Sequence, residues 1–338
     1  MRYLEFEKPL REIESKIEQL EVYAYSRDID LSGEIQPLKE KLVGLIDEIF
    51  SQLTPWQRVQ LARHPDRPYC LDYLNFLVDD LVELHGDRCF RDDEAIITGL
   101  CSIDGTSVAI IGHQKGRDIE ENIKRNFGMP HPEGFRKAKR IMEMADRFHI
   151  PIITFIDSPG AHPGIEAEER GQHEAIAKNL EVMSQLRVPI ICVVTGEGGS
   201  GGALAIGIGN RVLMLENAYY AVCTPEACAA IILKDRTKAS SVAGIMRIVP
   251  SDLKNLGLID EIIPEPHGGA HRNPGETADK LKEAILRHLS ELKELDEKEI
   301  VQARYNRFRE MGVFFEAPTP EIVIAAGSEE NNEQPRKE

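Results

Sequence analysis

The sequence predicts an α/β domain built on a mainly parallel sheet and preceded by an all-α N-terminal extension. Three observations lead there. Apolar residues recur at helical spacing through the first fifty positions; from Ala95 onward β-branched runs alternate with helical segments; and 338 residues with 42% apolar side chains and 26 glycines suffice for a large buried core. Alternation of this kind builds βαβ units, whose strands run parallel.

In the extension, Phe6, Leu10, Ile13, Ile17 and Leu20 are spaced by 4, 3, 4 and 3 residues, and Ile35, Leu38, Leu42, Leu45 and Ile49 form a second stripe after Ser32-Gly33. Each stripe is one face of an amphipathic helix. Thr54-Pro55 is a helix start, a hydroxyl cap followed by proline in the first turn, and a fourth helix is expected from Leu71 to about His85. Residues 1–90 are therefore expected to be all-α, an apolar-striped extension that packs on its own domain or on a partner subunit. At Ala95 the pattern changes to two strand-like runs, 95–103 and 106–111, joined by Asp104-Gly105, a strong hairpin signal. A helix is expected over 135–148, a strand over 151–156, a helix over 168–186 and a buried strand over 189–194. Further strands are expected at 212–215, 219–222 and 257–263, then an amphipathic helix from Thr277 to about Leu295. Residues 91–312 are expected to form the second domain, closing with C-terminal helices. The tail from 313 to 338 turns to Glu, Asn, Gln and Pro, the composition of a disordered segment.

With 41 basic and 57 acidic side chains the formal charge is −16, which argues against a general nucleic-acid binder and against a protein held on anionic lipid. No apolar run approaches the 18 or so residues of a membrane helix. The first ten residues carry Arg2, Glu5, Glu7 and Lys8 with no continuous apolar region, so the expected location is the cytoplasm. Six cysteines form no C-x-x-C pair and read as free thiols, with no metal expected in this chain. One stretch reverses the charge. Lys115 to Arg140 holds eight basic and four acidic residues, a local +4 suited to a polyphosphate or to an acidic partner face.

Two windows carry the chemistry. Gly196-Glu-Gly-Gly-Ser-Gly-Gly202 follows the strand at 189–194 and has five glycines in seven residues, more than one tight turn requires. It matches a dinucleotide fingerprint, Gly196-x-Gly198-x-x-Gly201, with Glu216 twenty residues downstream, but the helix available after it is too short. It also matches a nucleophile elbow, Gly198-x-Ser200-x-Gly202, for which Asp235, Asp252 or Asp260 with His267 or His271 would have to complete a triad. A third reading needs no side chain: the glycines aim backbone N–H groups at a developing negative charge. The second window, Asp157-Ser-Pro-Gly160-Ala161-His162-Pro-Gly164, follows the preceding strand, so in a parallel sheet both loops face one crevice.

Together Leu61-Ala-Arg-His-Pro65, Ile111-Gly-His-Gln-Lys-Gly-Arg117, Arg125-Asn-Phe-Gly-Met-Pro130, the two windows and Ile263-Pro-Glu-Pro-His-Gly-Gly-Ala-His-Arg-Asn-Pro274 resemble the carboxyltransferase α subunits of bacterial acetyl-CoA carboxylases, from about residue 3 to 312. The sequence departs from the family pattern at His162, where tyrosine is usual, and at Thr224-Pro-Glu-Ala227, where Ser-Pro-Glu-Gly is usual. The resemblance implies a crotonase-like fold of repeated ββα units, with the helical N-terminal extension, residues 1–90, used in assembly. It implies carboxyl transfer from carboxybiotin, on a biotin carboxyl carrier protein, to acetyl-CoA, giving malonyl-CoA for fatty acid synthesis. It also implies a zinc-ribbon β subunit in an α2β2 assembly, and a biotin carboxylase. Following it, the backbone N–H groups of Gly201 and Gly202 are the expected oxyanion donors, with Gly160 and Ala161 as further donors and Lys115, Arg117 and Arg125 as contacts for coenzyme A phosphates or the carrier. A stand-alone acyl-CoA hydrolase or isomerase of the same fold, or a serine hydrolase using Ser200, is the alternative.

Overall fold

The computed structural model describes residues 2–312. The expected disordered tail lies outside the described residues. The extension begins with α1 (Lys8–Arg27), α2 (Ser32–Ser51), α3 (Pro55–Ala62) and α4 (Cys70–Leu77). Thr54 caps α3 as the sequence predicts, its hydroxyl accepting the Gln57 N–H at 3.3 Å.

The all-α reading of residues 1–90 is corrected by the structure. The fourth helix stops at Leu77, and Asp79–Glu83 form β1, which pairs antiparallel with β2 (Ile96–Ile103). Asp80 adopts a left-handed φ of 51° and the ladder is irregular between Asp79 and Val82, so the chain leaves helical geometry here despite its apolar spacing. The Asp104-Gly105 hairpin to β3 (Thr106–His113) forms as expected, with both residues at positive φ, 46° and 75°.

Next come α5 (Ile119–Lys124), α6 (Pro132–Arg147), β4 (Ile152–Ser158), α7 (Ile165–Glu169), α8 (Gln172–Gln185), β5 (Ile190–Gly199) and α9 (Ser200–Leu204). The chain continues through β6 (Arg211–Leu215), β7 (Tyr219–Ala221), α10 (Pro225–Leu233), α11 (Ala239–Ile245), α12 (Pro250–Asn255), β8 (Glu261–Ile263), α13 (Pro274–Lys293) and α14 (Glu297–Arg309). One sheet runs β1-β2-β3-β4-β5-β6-β8, with β7 added to the far end of β5. From β3 to β8 every pairing is parallel. Every residue of β4 and β5 is buried, which is why both read as continuous apolar runs.

α14, not foreseen from the sequence, is locked by Arg304. Its guanidinium is buried and donates to the carbonyls of Met183, Leu186 and Val188 at 2.7 to 2.9 Å and to Asn210 Oδ1 at 2.7 Å. Burial lowers its pKa to about 10, and among the described residues no carboxylate pairs with it. Arg304→Leu would leave these carbonyls buried without donors, and urea unfolding should show a loss of roughly 3 kcal/mol.

Candidate active site

Parallel strands deliver their following loops to the carboxyl edge of the sheet. There β4 and β5 are hydrogen-bonded neighbours, with Ile156 beside Val194 and Ser158 beside Gly198. The glycine window was expected to be a loop, but β5 continues through it to Gly199 because β7 pairs with Glu197, Gly198 and Gly199. The two windows then touch backbone to backbone. A Cβ on Gly199 would lie 2.2 Å from the Pro159 carbonyl oxygen, and one on Gly202 would lie 2.6 Å from the Gly160 carbonyl carbon and 2.7 Å from the Ala161 nitrogen. No side chain fits at either position.

Ser200, Gly201 and Gly202 are the first three residues of α9, so their N–H groups have no partner inside the helix, and no side chain caps it. α9 is only five residues long, which leaves these local N–H groups rather than a helix dipole to act on an anion. Among the described residues no acceptor meets the Ala161 N–H either. Gly160 is different: its N–H donates to Ser158 Oγ at 3.1 Å, so the expectation of a Gly160 donor is corrected.

The loops rest on a buried ionic network that sequence reasoning missed. Lys115 Nζ lies 2.6 Å from Asp157 and 2.9 Å from Glu197. Asp157 Oδ1 also accepts the Glu197 backbone N–H at 2.9 Å, joining the two windows. Glu197 in turn accepts from Arg63 Nε at 2.6 Å and from the Tyr219 hydroxyl at 2.6 Å, while Arg63 reaches Glu226 at 2.5 Å. Burial alone would push the Glu197 carboxyl up, but Lys115 and Arg63 outweigh it and hold it at about 2. Nearby, Arg67 forms a two-pronged pair with Glu265, at 2.6 and 3.1 Å, and donates to Thr195 O at 2.9 Å. The one available signal was an acidic residue in each Gly-rich window, where a buried strand end would otherwise exclude charge.

These contacts correct the expectation for Lys115: its charge is committed to two internal carboxylates and is not offered to a phosphate. Arg117 is anchored on the carbonyls of Pro65 and Arg67 at 3.1 and 2.9 Å, on Asp72, and over the Tyr69 ring, and Arg125 donates to Glu94 O at 2.9 Å. The +4 stretch is largely paired, with Arg136 on Asp87 and Glu133 and Lys137 on Asp92.

The triad alternative finds no geometry. His267 pairs with Asp47 at 2.7 Å, and His271 stacks on His64 beside Glu7. Among the described residues neither histidine hydrogen-bonds Ser200. His113, at the end of β3, is fully buried, and burial followed by the Lys115 charge pushes its pKa down to about 3, so it stays neutral. A cleft of about 670 Å³ does exist, but Pro151, Pro189, Gly105 and Leu292 line it, at the amino ends of β4 and β5, away from the glycine windows.

A family model described as acetyl co-enzyme A carboxylase carboxyltransferase-like matches residues 3–312. The chain belongs to this family. Three relatives named acetyl-coenzyme A carboxylase carboxyl transferase subunit alpha illustrate the match. That of Geobacillus kaustophilus is 55% identical over 309 residues, 91% of this chain and 95% of its own. That of Geobacter metallireducens is 56% identical over 93% of this chain and 98% of its own, and that of Thermus thermophilus 52% identical over 93% and 99%. Among solved structures, transcarboxylase 12S with methylmalonyl-coenzyme A bound aligns at a TM-score of 0.53 and 22% identity, over 66% of this chain and 42% of that one. A Pseudomonas malonate decarboxylase hetero-tetramer with coenzyme A aligns at 0.53 and 17%, over 64% and 87%. At such identities the likeness concerns the fold, and it is the crotonase-like fold expected of the carboxyltransferase family. Among the described residues no helix is long and apolar enough to cross a membrane.

Proposed function

We propose that this chain is the α subunit of an acetyl-CoA carboxylase carboxyltransferase, which forms malonyl-CoA for fatty acid synthesis together with a zinc-ribbon β subunit in an α2β2 assembly. The carboxyl group would come from carboxybiotin on a carrier protein charged by a biotin carboxylase. The observation that carries this reading is the contact of the two Gly-rich windows, where, among the described residues, the backbone N–H groups of Gly201, Gly202 and Ala161 lie unpaired at the sheet's carboxyl edge. Carboxybiotin, when delivered, supplies an activated carboxyl group whose release leaves negative charge on the ureido oxygen. Fixed N–H donors stabilise such a charge without reorganising. The Lys115, Asp157 and Glu197 network keeps both windows in register, so these donors are rigid before any ligand arrives.

Donors for the thioester enolate, and most of the coenzyme A pocket, are assigned to the β chain. Arg117, which keeps 38% of its side chain exposed, and Arg125, which makes one hydrogen bond to a carbonyl, remain the proposed contacts in this chain for a phosphate or the carrier. We assign residues 1–90 a role in assembly: Val22, Tyr25 and Val43 are 63%, 93% and 55% exposed on α1 and α2, apolar surface that a neighbouring subunit would cover.

The experiment mixes the purified chain with biotin carboxyl carrier protein, carboxylated biotin donor and acetyl-CoA, with and without the β subunit, and follows malonyl-CoA. Product is expected only with both chains. Full turnover by this chain alone would overturn the proposal and restore the stand-alone enzyme.

A further inference from the structure

Beside the second Gly-rich window two histidines converge on one carboxylate oxygen. Glu166 Oε1, in the first turn of α7, lies 2.6 Å from His162 Nε2 and 4.0 Å from His131 Nε2. The rings are 4.5 Å apart between centroids with their planes tilted by 43°, and one ligand atom from each of the three residues falls within 4.8 Å of the others.

The backbone under this group is built, not adventitious. His131 caps the start of α6 and donates its N–H to Asp93 Oδ2 at 2.7 Å. His162 donates its N–H to Pro130 O at 3.0 Å, and the Gln172 amide bridges the two loops, giving hydrogen bonds to Pro130 O at 2.8 Å and His162 O at 3.0 Å. The two imidazoles are thus held together by three hydrogen bonds that do not involve the rings. His162 Nδ1 is buried and, among the described residues, has no partner, whereas Glu166 is 54% exposed and leaves the group open to a hydrated ion.

We propose that His131, His162 and Glu166 form a binding site for a divalent cation of the Zn²⁺ or Co²⁺ class at the rim of the Gly160–Gly164 loop. Two imidazoles and one carboxylate suit such borderline-soft ions, while Mg²⁺ and Ca²⁺ prefer oxygen ligands throughout. Bonds of 2.0 to 2.2 Å to nitrogen and oxygen place neighbouring tetrahedral ligands about 3.3 Å apart. The observed 2.6 and 4.0 Å bracket that value, and rotation of the exposed Glu166 side chain brings both toward it. Water would fill the remaining positions. A bound ion would fasten α7 and the window that carries Ala161 to the first turn of α6.

The buried trio Glu7, His64 and His271 has the same donor types but a different wiring. His64 Nδ1 accepts the Asp66 N–H at 3.1 Å, so the ring hydrogen sits on Nε2, directed at Arg2 O 3.2 Å away, and the lone pair a metal needs there is taken.

Titration of the purified full chain with ZnCl₂ by calorimetry, and with CoCl₂ by visible absorption, tests the proposal without reference to turnover. One equivalent should bind, with no response to MgCl₂. His162→Phe and Glu166→Gln should each weaken it by at least about tenfold. His149→Ala, at an exposed histidine elsewhere on the surface, should bind as wild type. Circular dichroism establishes that each variant is folded, and the exposed position of Glu166 makes its variant the safer of the two. Absence of binding by wild type, or unchanged binding in either ligand variant, would overturn the assignment.

Discussion

Gly202→Val should reduce kcat for carboxyl transfer in the reconstituted complex by about 10² to 10³-fold, the effect of removing one preorganised oxyanion donor. The new Cβ would begin 2.6 Å from the Gly160 carbonyl carbon and 2.7 Å from the Ala161 nitrogen, both main-chain atoms that cannot rotate aside. One window must move, and the N–H groups of Gly202 and Ala161 are displaced relative to one another. The overpacking itself costs about 1 to 3 kcal/mol, little enough for the chain to remain folded and associated with its partner. Steady-state kinetics beside a thermal melt separate the two effects. Wild-type turnover in a folded Gly202→Val complex would show that this contact plays no part in the reaction.

Lys115→Met is expected to destabilise the chain by about 3 to 5 kcal/mol, because it leaves Asp157 buried without a cation beside Glu197, which then keeps only Arg63. Asp157 and Glu197 are 2% and 8% exposed as side chains, so water screens them little. The pH dependence follows from Glu197, whose pKa falls from an ordinary 4.5 to about 2 in the fold. A carboxyl depressed on folding contributes stability that is complete above its unfolded pKa and is lost as pH falls through its folded one. Wild type should therefore lose this contribution between pH 4.5 and about 2, whereas in Lys115→Met the Glu197 carboxyl is less depressed, its acid-dependent loss is smaller, and the gap between the two proteins should narrow as pH falls. Urea midpoints measured at several acidic pH values give the result; equal midpoints for the two proteins at neutral pH would contradict the network's role.

The strands β4 and β5 and the convergence of their loops were legible because both faces of each strand are buried and the chain writes them as unbroken apolar runs. The continuation of β5 through Gly196 to Gly199 was not, since glycine has little preference for strands and only the distant β7 holds it there. The fourth helix was read too long for a related reason. Leu81 and Leu84 continue a helical spacing, but pairing of Val82 and Glu83 with β2 overrides it. The ionic network joins residues far apart in sequence, such as Arg63 to Glu197 and Lys115 to Asp157, and no local pattern announces such partners. For the same reason the basic stretch from Lys115 to Arg140 read as an anion site, whereas Lys115, Arg117, Lys124, Arg136 and Lys137 are answered by carboxylates, most of them from other segments.

That backbone, not side-chain, groups of the Gly196 to Gly202 window act on the substrate is tested most directly by Ser200→Ala. Ser200 sits at a left-handed φ of 51°, between the glycines whose N–H groups are assigned the chemistry, with its hydroxyl in no hydrogen bond among the described residues. Measured in the reconstituted complex, kcat for malonyl-CoA formation by Ser200→Ala is predicted to equal that of wild type. A fall approaching the roughly 10⁶-fold that follows removal of a serine nucleophile, in a folded and assembled protein, would contradict the account and place the hydroxyl at the reacting atoms.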